Sequence, residues 1–420
     1  NLNVAEHCKF DRKQYFYPDL PKNYQISQFD EPLAENGWLE VEIIEKDKEP
    51  YIKKIGIERL HMEEDAGKLV HSGSDRLAGS KYSLVDYNRA GIALCEIVSK
   101  PDIRSGKEAS EYASEIRRTV RYLGVSDGNM QEGSLRCDVN ISVRKGPNAP
   151  FGTKVEIKNM NSFSAIQKAC DYEIARQIEV YENGGKIFQE TRLWDEAKQL
   201  TKSMRMKEGS SDYRYFPDPD LGPIEITKAQ KEIWLKELPE LPSKKRNKYV
   251  SEFGLSAYDA RVISDEINMA NFFEETVSNG AEAKLASNWV TSDIVGYLKA
   301  NKLSFSDLKL SPENLAEMIS MISNNNISGK IAKEILPELI QKNISPKKLV
   351  EEKGLAMISD SSSILPIIDE LITEHPDEVQ AFRNGKTKLL GFFVGQLMKR
   401  TKGKADPKLA NKLLAEKLNS

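Results

Sequence analysis

The chain has 420 residues, of which 39% are apolar, 8% aromatic and 30% charged, with a mean hydropathy of −0.53. At about 100–200 residues per domain this suggests two or three domains; no apolar stretch approaches the ~20 residues of a membrane-spanning helix, and composition excludes collagen-like, mucin-like and coiled-coil arrays. Lys and Arg number 61 against 64 Asp and Glu, a net −3, but residues 381–420 hold ten bases and two acids, a local +8 that leaves −11 on the rest.

A basic tail on an acidic body points to a polyanionic partner reached through the tail. The four cysteines, Cys8, Cys95, Cys137 and Cys170, form no Cys-x-x-Cys pair. So large a chain with so little cysteine reads as reduced and cytoplasmic. Without an initiator Met, and with Lys9 onward already reading as mid-domain, the sequence suggests an N-terminal truncation.

In chain order, Ile52, Ile55 and Ile57 read as a strand running into His61-Met62-Glu63-Glu64-Asp65, and Glu96 sits inside the apolar run Leu94–Val98. A helix opens at a capping box of Ser105 and Glu108, turns Ala109, Tyr112, Ala113, Ile116, Val120 and Leu123 to one face, and stops at Gly124. Alternation in Cys137–Arg144 and again in Lys154–Lys158, around the turn-rich Gly146–Gly152, predicts a β-hairpin with one polar face. A second helix spans about Phe163–Tyr181, with Ile166, Cys170, Ile174 and Ile178 inward. Prolines 217, 219, 223, 239 and 242 bracket one helical stretch and mark a boundary. Beyond it nearly everything reads as helix, including Tyr258–Val277, Ala281–Ala300 and Thr387–Lys399. The expected class is α+β: a β-rich domain over 1–226, a helical domain over 227–350 and a basic helical tail over 351–420.

Common nucleotide motifs fail. There is no Gly-x-Gly-x-x-Gly, and Gly73–Lys81 is one residue too long for a P-loop and reads as a surface loop. Four histidines, none in a Ser/His/Asp pattern, argue against a hydrolase triad. The acidic run at 63–65 and Glu96 are more informative. Two carboxylates that meet in space suit Mg²⁺; the bland alternative pairs Glu96 with an arginine and leaves the run as a solvated strand end. The hairpin face offers Asp138, Asn140, Lys154, Glu156 and Lys158, which could hold phosphates and their metal or simply face water. Bases interleave with aromatics at Lys9–Tyr17 and Asp212–Phe216, a pattern suited to an RNA end as well as to a core edge. In the tail, Lys399, Arg400, Lys402 and Lys404 form a basic turn, followed by Lys408 and Lys412 on one helix face, a fit for phosphate-backbone contact.

Taken together these strings resemble one family, the B subunits of the aspartyl/glutamyl-tRNA amidotransferase. The matching stretches are Lys9–Asp19, Tyr24–Asp30, Arg59–Gly67, Tyr82–Ala90, Glu132–Ser142, Lys158–Phe163, Gln189–Glu196, Asp212–Leu221, Ile327–Lys333 and Gly391–Leu418, in order along the whole chain. The resemblance implies a β-rich cradle, a helical domain and a tRNA-contacting tail. It also implies ATP-dependent, Mg²⁺-requiring phosphorylation of the side-chain carboxylate of Glu-tRNA(Gln) or Asp-tRNA(Asn), then amidation. The ammonia would come through a tunnel from an amidase-family A subunit, with a small C subunit completing a heterotrimer; neither membrane nor DNA is implied.

By the same resemblance Glu64 and Glu96 match carboxylates around the metal, with Glu64 catalytic, and Lys13 matches a lysine near the tunnel exit. Arg136, Asp138, Lys154, Glu156 and Lys158 would face ATP, and Lys399, Arg400, Lys402, Lys404, Lys408 and Lys412 would hold tRNA. A further N-terminal stretch, with a Gly-Leu-Glu-x-His motif completing the metal site, is implied, so the chain as given is expected to be inactive alone. Ile92-Ala93-Leu94-Cys95 stands where the family usually reads Thr-Pro-Leu-Leu. A non-catalytic tRNA-binding scaffold and a free-standing ligase are the competing readings.

Overall fold

A computed structural model describes all residues except 73–80, 207–212, 358–360, Lys402 and Ser420. The loop weighed as a P-loop therefore lies, but for Lys81, outside the described residues. The chain forms two compact units, Asn1–Pro239 and Glu240–Ser420. The first is rich in sheet and the second helical, which makes the class α+β as expected. No described helix is long and apolar enough to cross a membrane.

In the first unit, β1 (Asp11–Gln14) and β2 (Tyr24–Ser27) pair antiparallel with Lys13 opposite Gln25. Strands β3 (Ala34–Ile43), β4 (Tyr51–Glu64) and β5 (Ala93–Ser99) follow in that order in an antiparallel sheet whose outer edge is Asn3–Val4. On β4 alternate residues are buried, Ile55 and Ile57 near its start and His61 and Glu63 near its end. Ile55 packs with Val41, Ile43, Ile103 and Tyr112, and each such side chain contributes about 1.5–3 kcal/mol by leaving water.

Helix α1 (Gly106–Tyr122) begins where the Glu108 amide donates to Ser105 Oγ at 3.1 Å. The box is only half closed, because the Glu108 carboxylate accepts from the Arg104 amide at 2.7 Å instead of reaching back to Ser105. It ends at Leu123, with Gly124 at φ +66 supplying the left-handed turn that a side chain resists. Besides Ala109 and Ala113, it buries Glu111, Glu115 and Arg118, since it packs against both β3 and the next helix.

The expected hairpin is present. Strands β6 (Val139–Ile141) and β7 (Val155–Lys158) pair antiparallel, and β8 (Glu190–Asp195) and β9 (Leu200–Met206) extend them to four strands. Helix α2 (Phe163–Glu182), capped by Ser162, buries Ile166 and Cys170 as expected. It departs from expectation at its C-terminal half: Ile178 is 43% exposed, whereas Glu173 and Gln177 are 0% exposed. A buried carboxylate survives only with partners. Glu173 accepts from Arg176, Gln177 and Thr201, and Gln177 in turn donates to the Ile141 carbonyl and accepts from the Val143 amide, both at 3.2 Å.

The second unit differs from expectation mainly at two helices. The stretch Tyr258–Val277 is two helices, α3 (Ala257–Ile263) and α4 (Ile267–Ser278), separated at Ser264. The stretch Ala281–Ala300 stays helical through a π-helical turn at Trp289–Ile294. The final helices, Ser361–Glu374, Pro376–Arg383, Leu389–Arg400 and Pro407–Asn419, close on a core that includes Ile364, Ile368, Leu371, Phe393, Leu397 and Leu414.

Candidate active site

The C-terminal end of β4 carries the densest group of chemically active side chains. Its two-residue period puts His61 and Glu63 on one face, Asp65 follows just beyond the end of the strand, and all three are buried. His61 Nε2 lies 3.2 Å from Glu63 Oε1 and 3.9 Å from Glu96 Oε2. One ligand atom from each of the three falls within 4.8 Å of the others. Glu96 joins them through a register irregularity: the shift between Ile57 and Arg59 sets Glu96 opposite His61, where unshifted pairing would set it opposite Leu60 on the other face.

Neighbouring strands complete the setting. Glu63 accepts from Ser27 Oγ at 3.0 Å and Gln25 Nε2 at 3.1 Å. Burial pushes its carboxyl up, but His61, the charge of Lys13 and Ser27 more than offset this and hold it below the usual range. Lys13 sits 5.0 Å above the Tyr213 ring. Tyr215 stacks on Phe29 at 4.3 Å, and burial, with Glu63, Tyr213 and Glu96 adding negative charge, pushes its hydroxyl to about 12. The Tyr213–Phe216 string thus borders the acidic group rather than standing apart as a stacking platform; Asp212 lies outside the described residues.

Glu64 does not pair with Glu96. It falls on the other face of β4, where Lys22 Nζ donates to its two oxygens at 2.5 and 2.6 Å and the Ile26 amide donates at 2.9 Å. Arg136 is brought to the end of the strand, 2.9 Å from Asp65, which Arg89 also meets at 3.0 Å. On the hairpin face Lys158 lies 2.5 Å from Asp138 and 3.4 Å from Glu156. Burial pulls the Lys158 ammonium down, but those two carboxylates outweigh it and raise its pKa. Glu156 also accepts from Thr191 Oγ1 at 2.9 Å, and Lys154 stands exposed.

Residues 1–232 match the family model described as "GatB/GatE catalytic domain", and residues 271–418 one described as "GatB domain". The chain belongs to the amidotransferase B-subunit family. A relative from Prochlorococcus marinus (strain AS9601) is 96% identical over 420 residues, all of this chain and 86% of its own. One from Prochlorococcus marinus subsp. pastoris is 87% identical over 420 residues, again 100% and 86%. One from Parasynechococcus marenigrum (strain WH8102) is 72% identical over 418 residues, 100% and 85%. All three bear the name of the B subunit of an aspartyl/glutamyl-tRNA(Asn/Gln) amidotransferase.

In this B-subunit chain one imidazole and two carboxylates, one of them buried and held ionised, fit a hard divalent cation, which takes one or two protein carboxylates and fills the rest with water and phosphate oxygens. The tail bases divide. Lys399, Lys408 and Lys412 are exposed. Arg400 is engaged by Glu370 at 3.0 Å and by Glu374, and Lys404 donates to the Gly354 carbonyl at 2.5 Å. Lys402 lies outside the described residues.

His61 and Arg89 are site side chains that the sequence reading does not single out, and Glu63 enters it only as a member of the acidic run 63–65. For His61 and Glu63 a finer signal exists: the alternation begun by Ile55 and Ile57 continues onto the odd-numbered residues. Arg89 has none, since a lone arginine in a turn looks like any solvated base.

Proposed function

We propose that this chain, as the B subunit of a heterotrimer with an amidase-family A subunit and a small C subunit, carries the kinase and transamidase half of a cytoplasmic, glutamine-dependent tRNA amidotransferase. The γ-phosphoryl of ATP passes to a side-chain carboxylate oxygen of Glu-tRNA(Gln) or Asp-tRNA(Asn), with ADP leaving. Ammonia then attacks the acyl carbon and phosphate leaves, giving the amide. A carboxylate resists amine attack, so this activation is what makes amidation possible.

His61, Glu63 and Glu96 would hold Mg²⁺, which supplies charge neutralisation at the transferring phosphoryl. Lys13, beside Glu63, adds a fixed cation where negative charge accumulates. Arg136 and the hairpin side chains Asp138, Lys154, Glu156 and Lys158 would border the nucleotide, and the exposed tail bases would meet tRNA, with residues 1–226, 227–350 and 351–420 as cradle, helical and tail domains.

The observation that carries this reading is the His61–Glu63–Glu96 group inside the part of the chain that matches a catalytic-domain family model. The test is amide formation on mischarged tRNA by the reconstituted complex. Glu63→Gln should lower the rate by about a hundredfold or more while leaving tRNA affinity unchanged. Glu64→Gln, which removes the charge facing Lys22 and keeps an oxygen for the Ile26 amide, separates the two adjacent carboxylates. Full turnover in both variants would favour a tRNA-binding scaffold.

A further inference from the structure

We infer that Arg12 is a positioning residue for the proposed reaction: from one face of β1 it fastens the 213–221 string, whose tyrosines seat Lys13 and border the acidic group. The inference rests on the role proposed above for Lys13. Side chains alternate along β1, so Arg12 and Lys13 point to opposite faces. The backbone holds the string weakly. Only Phe216 and Pro217 pair with β1, opposite Arg12 and Asp11, and a proline has no N–H to give the ladder. Two further bonds flank the pair: the Gln14 amide donates to the Tyr213 carbonyl and the Asp218 amide to the Phe10 carbonyl, both at 2.9 Å. Between them Arg214 sits at φ +47, a left-handed conformation that costs a residue with a side chain about 1–2 kcal/mol.

Arg12 makes up the deficit. Its Nε lies 2.8 Å from Asp218 Oδ2 and its Nη2 2.8 Å from Asp220 Oδ2, two carboxylates with no other ionic partner among the described residues. Asp220 is exposed and contributes little. Asp218 is 4% exposed; burial pushes its carboxyl up, but Arg12 and the Asp220 amide more than offset this and hold it below the usual carboxylate range. The guanidinium also lies 4.4 Å from the centre of the Tyr24 ring and 5.9 Å from that of Phe216. A fork that meets two carboxylates while lying against a ring is a geometry that an ammonium cannot copy. At the other end of the string the Tyr213 ring centre stands 5.0 Å from Lys13 Nζ and meets Tyr215 edge-on at 6.1 Å. That ring is the seat of the Lys13 ammonium, whose charge helps to keep Glu63 ionised. Arg12 thus acts on Lys13 through Tyr213 rather than on the reacting atoms.

The test uses the assembled complex and three readouts: acylation of Lys13 by an amine-reactive reagent, followed by mass spectrometry of its peptide; hydrogen exchange over 213–221; and steady-state amide formation. Arg12→Gln should lower kcat by at least about tenfold with KM for mischarged tRNA unchanged, and should speed both acylation of Lys13 and exchange of the string. Arg12→Lys should recover only part of the loss, because one ammonium does not span both carboxylates. Asp218→Asn, which keeps the shape and removes the buried charge, should move all three readouts the same way. Thermal melting checks that each variant is folded. A folded Arg12→Gln with a lower melting temperature but parental Lys13 acylation and kcat would make the clamp merely structural and overturn the inference. So would a raised KM for ATP with Lys13 acylation unchanged, which would place Arg12 at the nucleotide. If exchange and Lys13 acylation both rose while kcat held, the clamp would stand and the role proposed for Lys13 would fall.

Discussion

In the first unit, helix α2 turns Glu173 and Gln177 into the protein, both 0% exposed, while in the second unit the helices from Ser361 to Asn419 close on Ile364, Phe393, Leu397 and Leu414. The apolar core is specified by volume: any set of side chains that fills the space will hold those helices together. The polar one is specified by geometry. Glu173 accepts from Arg176, Gln177 and Thr201, and Arg192 comes within 3.6 Å, so one carboxylate ties α2 to β8 and β9. Gln177 extends the tie to the end of β6. The sheet that carries Asp138, Glu156 and Lys158 is thus fixed by directional bonds, whereas the tail is held by contact area. The comparison suggests that the first unit must keep a set of side chains in register and the second must mainly keep its surface.

Breaking each core sharpens the difference. Glu173→Ala leaves the half-buried Arg176 without its carboxylate and Arg192 with Glu190 alone, and should cost about 3–5 kcal/mol. Hydrogen exchange should show the loss at β6, β8 and β9 together, and ATP affinity should fall with it. Glu173→Gln, which keeps acceptor and shape but not charge, should recover part of the loss. A cost below about 1 kcal/mol would mean the network is solvated and the contrast false. In the tail, Phe393→Ala should cost a comparable 3–5 kcal/mol or so by leaving a cavity. Its exchange signature should stay within residues 361–419, and ATP binding should not change; a change there would show that the two cores are coupled.

The second unit also holds a buried charge that allows a pH test. Lys245 is 5% exposed and lies 2.5 Å from Glu274. Burial pushes the Glu274 carboxyl up, but Lys245 and Lys248 more than offset this and hold it below the usual carboxylate range. A carboxyl whose folded pKa is depressed contributes stability above its unfolded pKa and loses it as pH falls through the folded value. Glu274→Gln should therefore destabilise by about 1–2 kcal/mol at pH 7. The gap to the parent should close below the ordinary carboxylate range, as read by denaturant unfolding at stepped pH. A gap that persists undiminished in acid would assign the effect to packing.

Much of this is legible in the residues, and the illegible part has specific causes. The hairpin, both long helices of the first unit and the late helices follow from period and caps. The inward side of α2 escapes periodicity, which assumes that the inward residue is apolar, and two of the partners of Glu173, Arg192 and Thr201, lie far along the chain. At the site, alternation along β4 already separates Glu63 and Asp65 from Glu64. The position of Glu96 is not readable: it depends on a one-residue shift between Ile57 and Arg59 that no local pattern announces. The tail's +8 overstates its outward charge, because Arg400 and Lys417 spend theirs on Glu370, Glu374 and Asp369.

That last point gives the smallest effect and a direct test of the surface role assigned to the second unit. Lys408 and Lys412 lie one turn apart on an exposed helix face and, among the described residues, form no ion pair of the kind that holds Arg400. If they contact the tRNA backbone, each releases about one counterion on binding. The double change to Ala should then weaken tRNA binding only modestly at low salt and flatten the plot of log affinity against log salt by about one unit per lysine. Arg400→Ala should leave that slope alone and instead loosen the contact with the helix Ser361–Glu374. Should Arg400→Ala flatten the slope and the double lysine change not, the tRNA would be reaching the side of the tail where Glu370 and Glu374 lie, and the division between structural and outward bases would be reversed.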